Sequence, residues 1–215
     1  MSEDSMPLAS NIDRERFLKA LMRSAPDYQI ELNRNTQEQL STYFSLVTRW
    51  NERLHLTAPC TPEEFATRHV LESLTLLPHL PARSRVADIG SGGGLPLIPC
   101  LIARPDLRGD LIEASAKKAV FLREALRETH TSSQAAVLND RFENLPAPTI
   151  DFVTSRALER FQEILPELIE WAPRDCKFLL FGGDNLAERL SQLGLNYDQQ
   201  LLPKSKGRFL FVISG

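Results

Sequence analysis

The residues with the plainest chemical meaning are Val86-Ala87-Asp88-Ile89-Gly90-Ser91-Gly92-Gly93-Gly94-Leu95-Pro96, where an apolar run enters glycines at alternate positions before a helical pattern begins. Glycine at such a turn permits unusual backbone angles and lets a ligand approach the main chain with no side chain between. Glu113 closes the next apolar run, roughly 20 residues after the loop, where an acid in a nucleotide-binding unit holds a ribose hydroxyl pair. A nucleoside-containing ligand is expected.

The glycine spacing bears on which nucleoside. A dinucleotide fingerprint places its third glycine one position later, but Leu95 stands there, and its bulk opposes close helix packing and the approach of a pyrophosphate. Gly90, Gly92 and Gly94 instead make a G-x-G-x-G loop, which suits S-adenosylmethionine, a ligand with a cationic sulfonium and an amino-acid tail. Asp88, just before the loop, fits the same ligand as a carboxylate for its ammonium group. A nicotinamide or flavin cofactor and a purely structural glycine turn stay open as alternatives.

Other chemistry-bearing residues read in two ways each. Arg156 ends an apolar run, where a guanidinium is costly unless it is paired or touches a ligand. It is therefore a site residue or half of a structural ion pair. His69 falls on the apolar side of its helix and reads as a core histidine or a site group. Asn51 and Thr57 lie between two early helices and either line a substrate pocket or turn the backbone. Cys60, Cys100 and Cys176 are far apart without a CxxC pair, so neither zinc nor a disulfide framework is expected, and they read as small apolar residues. No metal site is expected.

These residues need elements to position them. Residues 1 to 34 form a loosely ordered segment with one short helix containing Phe17, Leu18, Leu21 and Met22. Residues 35 to 83 form a helical subdomain. In its first helix Leu40, Tyr43, Phe44, Val47, Trp50 and Leu54 recur at three- and four-residue spacings, with Asn35 and Glu38 placed to cap the start. Thr61-Pro62-Glu63-Glu64 launches the next helix, whose face includes Phe65, His69, Val70, Leu74 and Leu77 before Pro78 and Pro81 end it.

From residue 84 to 215 short apolar runs alternate with amphipathic helices. Strands are predicted over 85–89, 110–113, 136–138, 151–155 and 177–181, with helices over 95–104, 117–128 and 161–171. Such alternation implies an α/β fold, a mostly parallel Rossmann-like sheet covered on both faces. The runs 197–202 and 208–214 lie too close for an intervening helix, so the last strand is expected to be antiparallel.

With 215 residues and 42% hydrophobic content the chain can bury a core. The opening Met1-Ser2-Glu3-Asp4 is acidic and does not resemble a secretory signal. The longest apolar stretch, 95–103, is broken by Pro96 and Pro99, so no membrane span is expected and a cytoplasmic monomer is. A net charge of -3 excludes bulk electrostatic binding of nucleic acid, leaving only a local basic patch.

Several ordered motifs carry a resemblance over roughly residues 37 to 213: Trp50-Asn51 with Leu56-Thr57, Arg68-His69-Val70-Leu71-Glu72-Ser73-Leu74, the glycine loop with Leu95-Pro96 and Pro99, Arg104-Pro105, Lys117-Lys118 with Phe121-Leu122-Arg123, and Ser155-Arg156-Ala157. In these the chain resembles the glucose-inhibited division protein B family, the 16S rRNA guanine-N(7) methyltransferases. The resemblance implies a class I S-adenosylmethionine-dependent methyltransferase with an N-terminal helical extension, acting on 16S rRNA or the small ribosomal subunit.

It further implies cofactor contacts at Gly90, Gly92, Leu95, Glu113, Phe142, Glu143 and Arg156; Phe142 reads either as stacking on or packing against the adenine or as an ordinary packing aromatic. Asn51 and Arg156 become candidates for the transfer site. A basic surface for RNA would comprise Arg68, Lys117, Lys118, Arg123 and Arg127, with Lys204, Lys206 and Arg208 from the last loop; without the resemblance the helix cations read as an ordinary solvated face. Phe181-Gly182-Gly183 lacks the lysine usual before the glycine in similar proteins. The implied chemistry is in-line methyl transfer to a ring nitrogen that already bears a lone pair, with no base and no metal. Methylation of a protein or small molecule, and cofactor binding without catalysis, remain alternatives.

Overall fold

The computed structural model describes residues 10–146, 149–156 and 161–214; Met1–Asp4 and Ala157 of the motifs above lie outside them. Ahead of the sheet come α1 (Asn11–Ser24), a 3-10 turn (Ala25–Tyr28) and α2 (Arg34–Leu54). A further helix changes its hydrogen-bond pattern along its length: α3 (Pro62–Glu64), a π-helical stretch (Phe65–Leu71), then α4 (Glu72–Leu74).

The alternating part follows as β1 (Arg85–Ile89), α5 (Leu97–Ala103), β2 (Arg108–Ile112), α6 (Ala116–Glu128), β3 (Ala135–Leu138), β4 (Phe152–Arg156), α7 (Phe161–Trp171), β5 (Lys177–Gly182), α8 (Asp184–Gln192), β6 (Tyr197–Leu201) and β7 (Phe209–Ile213).

The strands form one sheet in the order β3-β2-β1-β4-β5-β7-β6. β1 to β5 are parallel, and β7 runs antiparallel to both β5 and β6. This is the Rossmann-like α/β sheet with an antiparallel last strand that the patterning implies. Strand order reverses between β1 and β4, and open parallel sheets bind ligands at such a crevice, beyond the carboxyl ends of the strands.

Side chains alternate between faces along each strand. Val86, Leu111, Phe152, Leu179 and Leu210 join one core cluster with α1, α2, α5 and α6, which includes Phe17, Leu40, Tyr43 and Phe121. Ala87, Ile112, Val153, Phe178 and Phe211 join a second with Leu165, Leu168, Leu186 and Leu190 from α7 and α8. The early helices thus share a core with one sheet face. In α1, Phe17 is fully buried and stacks on Phe44 with centroids 4.7 Å apart, whereas Met22 is exposed.

Local details depart from the sequence reading. Asn33, not Asn35, caps α2: its backbone is extended and its side chain accepts from Thr36 N at 2.9 Å. Asn35 already lies in the first turn and donates to Gln39, while Glu38 pairs with Arg34. The helix expected from residue 95 starts at Leu97, because Gly94 to Pro96 complete the loop. α8 has no counterpart in the sequence pattern, since only Leu186 and Leu190 mark its buried side. The capping box at Thr61 forms as expected, with Glu64 N reaching Thr61 Oγ1 at 3.2 Å and Thr61 N reaching Glu64 Oε2 at 2.9 Å.

Candidate active site

The glycine loop leaves the end of β1 and is tied down on several sides. Gly90, Gly92 and Gly94 have φ of 66°, 53° and 81°, left-handed angles that favour glycine. Gly90 N and Ser91 N both donate to Ile112 O, at 2.9 and 3.1 Å. A Cβ on Gly94 would lie 2.4 Å from Ile98 Cδ1, so this glycine also permits close packing of α5. Leu95 is buried in the core beside it.

Glu113, next to β2, is nearly buried, and its two oxygens accept from Gly92 N at 2.9 Å and Ser115 N at 2.7 Å. Each carboxylate oxygen retains a second lone pair, so the side chain can fix the loop and still meet a hydroxyl pair. Asn139, after β3, donates to Glu113 O at 2.8 Å and Ala114 O at 3.2 Å, holding the acid's backbone at the strand ends.

Asp88 is the anomaly of the site. It is 0% exposed, and neither carboxylate oxygen has a hydrogen-bond partner. Ser91 Oγ donates to its main-chain carbonyl instead, at 2.8 Å. Burial pushes its pKa well above the usual carboxylate range. An unpartnered buried carboxylate is expensive, and a ligand cation is what it lacks. The ammonium of S-adenosylmethionine fits that need, and the glycine turn gives room for close approach to the backbone.

The helical layer reaches this loop directly. Tyr43 of α2 is fully buried and its hydroxyl donates to Gly93 O at 2.5 Å. Asn51 bridges the chain after α2, with Nδ2 on Thr57 O at 3.0 Å and Oδ1 accepting from Thr57 N at 2.8 Å. That closure brings Leu56 under Gly93, where a glycine Cβ would sit 3.4 Å from Leu56 Cβ. Of the two readings of Asn51 and Thr57, the structure supplies the backbone turn.

Arg156, at the end of β4, has its guanidinium engaged by the protein. Nη2 lies 3.0 Å from Glu72 Oε2 and 2.5 Å from Arg68 O, and Nη1 lies 3.5 Å from His69 O. Phe181 packs against it with the ring centroid 5.5 Å from Cζ. Glu72 is fully buried and also receives Arg208 Nη2 at 2.6 Å. The ion-pair reading of Arg156 is therefore the one observed. The carbonyls it engages belong to the π-helical stretch, a geometry frequent at functional sites.

His69, on that stretch, has a buried Nδ1 without a partner. Burial, reinforced by Arg156, Arg68 and Arg208, lowers its pKa to about 3, so it is neutral at working pH.

The remaining candidates divide by what they touch. Phe142 is buried against Trp171 with centroids 5.6 Å apart, the packing role of an aromatic, while Glu143 is exposed. Lys117, Arg68 and Lys206 are exposed, and Lys118 is partly so. Arg123 donates to Val137 O at 3.3 Å, Arg127 pairs with Glu128, and Lys204 pairs with Asp27 at 2.6 Å. Glu72, Tyr43 and Asn139 were not singled out for the site. Glu72 lies within the Arg68–Leu74 motif, Tyr43 on the apolar face of α2, and Asn139 just beyond a strand at the ligand-binding edge.

The model of the family described as rRNA small subunit methyltransferase G (GidB) matches residues 36–206. The chain belongs to this family. The ribosomal RNA small subunit methyltransferase G of Nitrosomonas eutropha is 35% identical over 170 residues, covering 77% of this chain and 78% of that one. Its counterpart in Xanthomonas euvesicatoria pv. vesicatoria is 41% identical over 151 residues, covering 66% and 70%. Among solved structures, the mitomycin 7-O-methyltransferase MmcR shares the fold at a TM-score of 0.60 and 14% identity, over 95% of this chain and 68% of that one. The region matched to the methyltransferase G family starts inside α2 and so takes in Tyr43, Asn51 and Glu72 as well as the glycine loop. Among the described residues no helix is long and apolar enough to cross a membrane.

Proposed function

We propose that the chain transfers a methyl group from S-adenosylmethionine to ring nitrogen 7 of a guanine in 16S ribosomal RNA, as a cytoplasmic monomer acting on the small ribosomal subunit or its RNA. The observation that carries this reading is Asp88, a fully buried carboxylate without a partner beneath a glycine loop, in a chain of the small-subunit rRNA methyltransferase G family.

S-adenosylmethionine supplies an electrophilic methyl group on a sulfonium. Asp88 would take its ammonium, the backbone of Gly90, Gly92 and Gly94 would line its approach, and the free lone pairs of Glu113 would meet its ribose. Leu95, Phe142 and Glu143 border the same strand ends. Nitrogen 7 of guanine carries its own lone pair, so the reaction calls for orientation and exclusion of water. The chain's residues would supply both by holding the loop through Tyr43 and Glu113 and by tying the His69 main chain to Arg156 at the end of β4. Residues 35–83 would form the substrate-facing helical part ahead of the core at 84–215. Exposed Lys117, Lys118, Arg68 and Lys206 would meet phosphates, with Arg123 and the outer edge of Arg208 beside them.

The test is transfer of labelled methyl to small subunits and their RNA from a strain lacking this protein, followed by nucleoside mapping. Label is expected as 7-methylguanosine in 16S rRNA. Label found only in protein or small molecules would overturn the ribosomal reading.

A further inference from the structure

We infer that Tyr43 is a positioning residue of the cofactor loop, so that the helical layer ahead of the sheet sets cofactor affinity. The inference rests on reading the loop at Gly90 to Gly94 as the S-adenosylmethionine site. Its observation is independent of that reading: one aromatic hydroxyl, 0% exposed, spends its only proton on the Gly93 carbonyl 50 residues away in sequence.

The peptide unit between Gly93 and Gly94 explains why that bond matters. A trans peptide is planar, with C=O and N–H pointing in opposite directions. Tyr43 holds the oxygen end of this plane at 2.5 Å, and Ser91 O accepts the Gly94 N–H at its other end at 2.6 Å. The plane can then turn neither way without breaking a hydrogen bond. The plane turns about ψ of Gly93 and φ of Gly94, and neither residue has a side chain to resist that rotation; Gly94 is already held at a left-handed φ. Without an outside donor this would be the softest part of the loop.

The hydroxyl is suited to the task. Tyr43 sits in a cage of Phe65 and its neighbours, with ring centroids 6.1 Å apart, so the ring cannot swing away. Burial, with Asp88 close enough to add to it, raises the phenol's pKa well above its usual value, so the group remains a donor at every working pH. Asp88 lies on the same face of β1 as Val86, whose cluster contains Tyr43. One side chain thus fixes the loop on the same side of β1 as the carboxylate assigned to the ligand's ammonium.

Tyr43→Phe removes the hydroxyl and keeps the ring. Titration of the full chain with S-adenosylmethionine is expected to show Kd raised about tenfold, with kcat at saturating cofactor and KM for small subunits unchanged. A parallel fall in kcat, or an unchanged Kd, would overturn the inference. Phe17→Leu loosens the same helical layer without touching the loop, and should lower the melting temperature while leaving Kd alone. If it raises Kd as much as Tyr43→Phe does, general loosening is the cause and the inference fails. Asp88→Asn separates the two readings: loss of affinity there with none in Tyr43→Phe defeats only the positioning role, whereas no loss in Asp88→Asn defeats the site assignment.

Discussion

Glu72 holds Arg156 at 3.0 Å between Oε2 and Nη2, and it does so with no exposed surface of its own. Its other oxygen holds Arg208, so one buried carboxylate at the start of α4, directly after the π-helical stretch, ties this helix to the end of β4 and the start of β7. Removing one partner from such a buried arrangement is far costlier than the pair's net worth, about 3–5 kcal/mol. Glu72→Gln is therefore expected to lower unfolding free energy by about that amount in urea titrations. Adding Arg208→Met should recover part of the loss, because one of the two stranded cations is then gone.

Asp88 makes cofactor binding depend on pH. Burial raises its pKa, so the ligand-free protein keeps this proton to higher pH than an ordinary carboxyl would, while an ammonium is attracted only by the ionised form. Affinity for S-adenosylmethionine should therefore rise with pH, by up to about tenfold per unit, over a range higher than an ordinary carboxyl would give. Calorimetric titrations across that range check it, and Asp88→Asn should bind weakly with a flat profile.

His69 contributes to stability in the opposite pH direction from a paired histidine. Its folded pKa, about 3, lies below the ordinary value of 6.5, so the unfolded chain binds the extra proton and stability falls as pH drops below the ordinary value. Between pH 7 and pH 5 the loss attributable to this residue is about 2 kcal/mol. Urea unfolding of the wild type and His69→Gln at both pH values should differ by that amount in their pH dependence.

Gly94→Ala combines two costs. The new Cβ meets Ile98 Cδ1 at 2.4 Å, and φ of 81° is strained for alanine. A destabilisation of about 2–4 kcal/mol is expected, with weakened cofactor binding. Adding Ile98→Ala should relieve the clash but not the backbone strain, so cofactor affinity should return only in part, as read by melting temperature and Kd together.

Lys117 and Lys118 stand at the start of α6 without an ion-pair partner among the described residues. If they meet RNA phosphates, replacing either with alanine should reduce the slope of log affinity against log salt by about 1. Binding of 16S rRNA measured at several salt concentrations gives that slope. Lys204→Ala, which loses an existing pair with Asp27, should change it less.

Much of the fold was legible because its signals are local. The run 85–89 appears as β1 with the same bounds, and the capping box at Thr61 starts its helix where its residue types require. Elements with thin signals were not legible. α8 buries only Leu186 and Leu190, and the cap of α2 fell to Asn33 because two asparagines lay within reach and backbone geometry chose between them. At the site, glycine spacing and Glu113 led to the loop, since turn conformation and strand-end position follow from short-range pattern. Tyr43 looked like any core aromatic, because nothing local shows where its hydroxyl ends.

The sequence by itself determined the order of elements, the loop and its acid, and the family, all of which rest on residues close together in the chain. Only the tertiary structure decided which charged and polar side chains are free to act. Arg156 meets Glu72 across 84 residues and Arg208 meets it across 136, so their engagement depends on how β4, β7 and the π-helical segment converge. Asp88 differs from them for the same physical reason. Burial removes water from both Glu72 and Asp88, and the fold supplies arginine partners to the first carboxylate but leaves the second for a ligand.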